Sequence, residues 1–357
     1  MFARQLWDVS GVSGTTPLVV GDVTYAVTVD GEVLAIETGD GEVRWRGPAG
    51  VVAPGSILVD SGGVLVAADL AGRLDALRSE DGSPVWSLEL PLLTAPTVAG
   101  SELFVVLGQR SEQVGPSAVL AVLDAATGTE RRRIDLGSGG AIHSPVVAGE
   151  LLVVCLADGE VQARDRVTLE LAWRHEVMGA PACAADEDEG LVVAASRFGD
   201  VVAYDHEGEL RWQQVLEGSI AEPPTLSQGG VYVVSGSLLV GFDADTGEIL
   251  WSSDGVGDPQ GTPVSNSRAV FVATTSGQVI ANYLHTGAVR WMWDAGVPVS
   301  SGVAIAHDAA VVVLPEDRLV AVGAWRPAPP RPDPVPTETP PLQTEAPTAR
   351  IEGSSAG

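Results

Sequence analysis

Apolar residues in this chain come in short runs, mostly Val, Leu and Ala, broken by Gly and Asp. Runs of this kind bounded by turn formers read as strands. No long stretch combines helical spacing with good helix formers, so the pattern predicts an all-β chain. The pattern also repeats. Trp stands at 7, 45, 86, 173, 212, 251 and 291, with Trp293 and Trp325 besides. Neighbouring members of the first set are 38, 41, 39, 39 and 40 residues apart, and the gap of 87 from Trp86 to Trp173 is about two periods. A period near 40 residues predicts the blades of a β-propeller.

Around each Trp the chain reads Ala-x-Asp-x-x-x-Gly-x-x-x-Trp. Ala35, Glu37, Gly41 and Trp45 fit it, as do Ala76, Gly82 and Trp86 with Arg78 at the acidic position. Ala163, Asp165 and Trp173 fit with Leu169 in place of Gly. Ala203, Asp205, Gly208 and Trp212 fit with one deletion, and Gly241, Asp243, Gly247 and Trp251 fit with Gly in place of Ala. Ala281, Gly287 and Trp291 carry Tyr283 at the acidic position. In the long gap Val122, Asp124 and Gly128 fit, and the Trp slot falls on Arg132. The Asp and Gly suit a tight turn between the third and fourth strands, where Gly supplies positive φ and Asp caps its own backbone. The Trp is expected on the outer strand, packed between blades with its indole N–H on a carbonyl.

An X-Pro pair precedes each unit, at Pro17, Pro54, Pro96, Pro145, Pro181, Pro224 and Pro263, where a strand tolerates a missing N–H. In the sixth unit the predicted strands are 225–226, 231–235, 238–243 and 248–252. Seven units end at Trp291, leaving three strands at 299–305, 311–314 and 318–322. One strand at 5–9 is left over at the start. Joined, they predict an eighth blade that closes the ring and hides its edges. The expected architecture is an eight-bladed propeller over 1–325, monomeric, followed by a disordered Pro- and Thr-rich tail over 326–357.

The motif resembles the tryptophan-docking repeat of the quinoprotein, or pyrroloquinoline-quinone (PQQ), family, most closely at Asp243–Trp251 and Asp124–Gly128. The resemblance covers residues 5 to 325 and implies the propeller fold. It implies one of two functions. The family's dehydrogenases bind PQQ over calcium, with a disulfide between adjacent cysteines and Glu, Asn and Asp around the metal. This chain has no Cys-Cys pair, and Asn266 and Asn282 are its only asparagines. The non-catalytic branch is similar to an outer-membrane assembly lipoprotein and to sensor propellers of receptor kinases. The chain looks like that branch, which implies no cofactor, a protein partner and an extracytoplasmic setting. It lacks the lipoprotein's lipidated Cys near the start. A PQQ and calcium enzyme, or a glycan or small-ligand binder in the central channel, are the alternatives.

Charge narrows the choice. The net charge of −27 disfavours nucleic acid, and all 20 basic residues are Arg. Cys155 and Cys183 sit in apolar runs and are expected as free, buried small hydrophobes. The start, MFARQLWDVS, has no apolar signal core, and no run approaches a membrane helix, so the chain as written reads as soluble. A piece of a longer exported protein would look the same.

Loops between blades and between second and third strands share one face, the expected binding surface. There the turn between Val106 and Val119 is enlarged and offers Arg110, Glu112 and Gln113, although loops also tolerate insertions freely. Arg197, Phe198 and Trp293 are further candidates, Trp293 also reading as an extra packing ring. His143 and His175 are expected in loops flanking the fourth blade, too few for a metal site. Arg131–Arg133 can dock an acidic partner or guard an outer strand, and the second reading is preferred. Asp186–Glu189 reads as a solvated turn without the alternating ligands of a calcium loop. No catalytic constellation stands out.

Overall fold

The computed structural model describes residues 3–51, 57–69, 71–111, 115–137, 140–141, 143–254, 257–307 and 309–323, with the side chains of 57, 109–111 and 115–116 excepted. Pro54, Trp325 and the Pro-rich segment 326–357 lie outside them. The described chain forms eight four-stranded antiparallel sheets. Blade six runs Thr225–Ser227, Gly230–Ser235, Leu238–Asp243 and Ile249–Ser253, within one residue of each expected boundary. The ring closes as the leftover strands predict. Arg4–Ser10 is the outer strand on Arg318–Gly323, Ala309–Leu314 and Ala304–Ala306, pairing Trp7 with Ala321. The innermost of these strands starts later than the apolar run at 299 suggests.

The hydrophobic pattern follows from stacking blades face to face. A middle strand is covered on both faces, so Leu191–Ala195 is buried throughout. An outer strand is covered on one face, so Leu171–Glu176 alternates between exposed and half-buried positions. One apolar cluster lies between each pair of neighbouring blades, including blades eight and one. The core is therefore a ring of eight interfaces rather than one centre.

The indole N–H groups of Trp7, Trp45, Trp86, Trp173, Trp212 and Trp251 donate to Thr38, Ser79, Ala125, His206, Ala244 and Leu284 in the next blade, at 2.7–3.1 Å. Each ring lies against the turn glycine of that blade. At Gly247 (φ +72°) a Cβ would stand 2.6 Å from the Trp212 ring. Glycine is required there twice over, by the left-handed backbone and by the ring. Trp291 is fully buried, and the residue in register with the usual acceptor, 324, lies outside the described residues.

The cysteines overturn the expectation of free thiols. Cys155, ending the second strand of blade four, is disulfide-bonded to Cys183, on the innermost strand of blade five, with Cα atoms 6.0 Å apart. The two residues are remote in sequence and in different sheets, but ring stacking sets those strands side by side.

Candidate interaction face

The enlarged turn of blade three is no loose loop. Its two strands, Glu102–Ser111 and Gly115–Asp124, run ten residues each and stay paired from Glu102 with Asp124 to Ser111 with Gly115. Most other second strands have five. The loop after blade two braces the hairpin, with Leu93 N–H donating to Val106 O and Gly108 N–H to Pro91 O. Arg110 lies on the ribbon with its side chain outside the described residues, as are Glu112 and Gln113 entirely.

Arg131, Arg132 and Arg133 form no open positive patch. Arg131 pairs with Asp124 and Glu102, Arg132 with Glu102, and Arg133 with Glu130, all within blade three. This is the edge-guarding reading, with the cations neutralised locally. In the acidic run, the Asp186 carboxylate caps Glu189 N–H at 3.0 Å, and Glu189 accepts Gly229 N–H of the next blade at 2.6 Å.

The two histidines separate. His143 stands in the loop before blade four. Burial holds its imidazole below the ordinary pKa, with Glu222 opposing the shift and Arg197 adding to it. Three successive blades thus bring His143, Arg197 and Glu222 within electrostatic reach, and Glu222 accepts the Thr262 hydroxyl at 3.3 Å. His175 is not in a loop, contrary to expectation. It lies on the outer strand of blade four because the strand runs on through Glu176. Its ring stacks on Tyr204 of blade five at 4.4 Å and 2°, and its Nε2 meets Gly208 O at 2.7 Å. Gln214 makes the same bond to Gly247 one blade on, so His175 is part of the interblade seam. Trp293 is half-buried on the outer strand of blade seven, against the cluster shared with blade eight, and acts as the extra packing ring.

Arg197 and Phe198 stand out. Both are exposed in the turn Ser196–Gly199 of blade five. Arg197 N–H donates to Gly179 O at 3.2 Å, tying this turn to the loop from blade four. The Phe198 ring lies so close over Gly179 that a Cβ there would stand 2.8 Å from it. Beside Gly179 is Met178. Met178 is 75% and Phe198 67% exposed, the two most exposed large apolar side chains among the described residues. Sequence reasoning missed Met178, which is apolar in an apolar-rich loop and becomes notable only when its exposure is known.

Residues 3–102, 91–185 and 178–294 each match the family of the outer membrane protein assembly factor BamB. This chain belongs to the BamB family. The BamB of Nitrosomonas eutropha is 32% identical over 157 residues, covering 42% of this chain and 38% of that relative. The chain's match thus spans well under two-thirds of that relative's length. The crystal structure of BamB from Moraxella catarrhalis aligns with a TM-score of 0.71 at 18% identity, covering 90% of this chain and 98% of the other. The quinohemoprotein alcohol dehydrogenase of Comamonas testosteroni aligns with a TM-score of 0.69 at 14% identity, over 92% and 78%. The two structural likenesses show the shared propeller.

Both asparagines, the candidates for a PQQ and calcium site, make hydrogen bonds within the fold, and Asn282 keeps a buried Oδ1 without a partner. Asn266 accepts Arg268 and Ala269 N–H in its own turn and donates to His307 O of blade eight. Asn282 is buried against Gly287 O and Ser253. No cluster of three His, Cys, Asp or Glu suited to a metal occurs among the described residues, and the disulfide joins two blades rather than adjacent cysteines. No described helix is long and apolar enough to cross a membrane.

Proposed function

We propose that this chain is a non-enzymatic, monomeric protein-interaction scaffold that takes no cofactor and docks a partner on the loop face. The observation that carries this reading is the corner of blades four and five. There Met178 and Phe198 stand exposed together beside Arg197. Aromatic residues, Met and Arg are the types enriched in protein interfaces. An anchor contributes most when its support is rigid, because less freedom is lost on binding. Here the support is a main-chain hydrogen bond from Arg197 to Gly179 and, on the neighbouring strands, the Cys155–Cys183 bond. His143 and the blade-three hairpin lie on the same face and extend the surface.

The name of the relatives points to a partner engaged in assembling outer-membrane proteins. A disulfide suits an oxidising compartment, which supports a place in the cell envelope. Residues 326–357 serve as a spacer on this reading, from composition alone.

The test is a crosslinking pull-down from host membrane and soluble fractions with the parent chain and a Met178→Ser/Phe198→Ser variant. The expected result is a discrete partner held by the parent and lost from a variant that still folds. A partner set unchanged by the double substitution would move docking off this corner. No partner at all would defeat the scaffold reading.

A further inference from the structure

A groove of about 420 Å3 opens between blades four and five next to the Met178 corner. It shares His175 and Glu176 with an adjoining hollow of about 400 Å3. The stacked His175 and Tyr204 rings contribute aromatic surface to it. Met178 and Leu210 supply apolar lining, 75% and 58% exposed. Each blade contributes one carboxylate, Glu176 from the outer strand of blade four and Asp200 from the start of the third strand of blade five. Neither forms an ion pair among the described residues. The cation of the adjoining hollow, Arg174, is turned to Glu160 at 3.5 Å. The groove therefore combines unneutralised acid with apolar and aromatic surface, on a chain of net charge −27.

We infer that this groove takes an arginine-bearing, otherwise apolar extended segment of a partner protein. The inference rests on the scaffold reading above and names the chemistry of the segment bound. Arginine satisfies both halves of the site. Its planar guanidinium forks onto carboxylates and stacks on aromatic rings, and its stem covers apolar surface. A purely apolar segment would bury Glu176 and Asp200 without a counter-charge, which is costly. An acidic segment would be repelled. The groove also leads to Met178, so one strand can fill it and reach the corner anchor.

The probe is a blocked pentapeptide of alternating leucine and arginine, titrated calorimetrically into the full chain. The control peptide carries citrulline, which keeps the shape of arginine and removes its charge. The arginine peptide should bind the parent at least tenfold more tightly than the citrulline peptide. That preference should vanish in Glu176→Gln/Asp200→Asn and persist in Val289→Ser, a substitution of an exposed residue on blade seven. Equal affinity for the two peptides, no binding of the arginine peptide, or a preference that survives Glu176→Gln/Asp200→Asn would each overturn the inference. Circular dichroism checks that the variants keep the fold. A partner that still depends on Met178 and Phe198 while the peptide result is negative would leave the scaffold reading standing and remove only the groove.

Discussion

Leu169 and Arg132 are a matched pair of exceptions, holding corresponding positions on the two sides of the interface of blades three and four. Arg132 holds the slot where most blades carry the docking Trp, and Leu169 holds the turn position where the next blade otherwise carries Gly. Leu169 is 2% exposed and packs with Phe104, Leu120 and Leu152, at φ +62°. In six other interfaces a Cβ at the glycine would come within 3.0 Å of the tryptophan ring. Without the ring there is room for a side chain, and the leucine fills it.

That pairing predicts coupled substitutions. Leu169→Gly removes left-handed strain of about 1–2 kcal/mol but loses a buried leucine worth about 2–5 kcal/mol, a net cost of up to about 4 kcal/mol. Arg132→Trp alone drives a ring into Leu169 and should destabilise. The double variant rebuilds the usual interface and should be more stable than either single variant. Denaturant unfolding of the three variants and the parent measures the coupling, and simple additivity would refute it.

Two glycines with the same backbone separate strain from crowding. Gly247 (φ +72°) lies against Trp212, whereas at Gly229 (φ +74°) nothing stands within 4 Å of a Cβ. Gly229→Ala should cost about 1 kcal/mol, the backbone strain alone. Gly247→Ala adds overpacking of about 1–3 kcal/mol and should lower Tm visibly further. Equal losses would mean that the ring simply moves aside.

The Cys155–Cys183 bond closes a sequence separation of 28 residues. Chain-entropy arguments put its contribution at roughly 3–4 kcal/mol. Cys155→Ala/Cys183→Ala should show that loss, and reductant should lower the Tm of the parent but not of the variant. Thiol titration of the denatured, unreduced parent should find no free thiol.

Asp75 predicts an acid-sensitive seam between blades one and two. Burial pushes its carboxyl up, but the Arg73 guanidinium, the Ser87 hydroxyl and Gly50 N–H together outweigh burial and hold the pKa below the ordinary value. A depressed carboxyl stabilises the fold fully above its unfolded pKa, about 4, and loses that contribution as pH falls through the lower folded value. Asp75→Asn should cost about 1.5–3 kcal/mol at pH 7. The difference from the parent should shrink steadily below pH 4. A difference constant with pH would show that the charge of Asp75 is irrelevant.

The ring was legible because its rules are local. Trp251 needs a turn Gly, an apolar strand and a Pro at fixed offsets, so the same short grammar recurs and counts the blades. Closure was legible for the same reason, since the strand around Trp7 lacked three partners and the strands up to Val322 lacked a fourth. The candidate face was only partly legible. Arg197 and Phe198 were named from a loop position, and the structure adds Met178, Glu222 and the groove acids, which share no spacing with them. His175 was misplaced because a strand's last residues look like the loop that follows.

The repeat along the chain thus decides which residues become strands, how many blades form and which end completes the ring, because each blade's hydrogen bonds and turns are made within about forty residues. What lies across an interface was decided only by the closed ring. Cys155 finds Cys183, His175 finds Tyr204, and Glu176 comes to share a groove with Asp200. Those neighbours belong to different sheets, and their meeting depends on the lateral stacking of one blade on the next, which no periodicity in a single blade encodes.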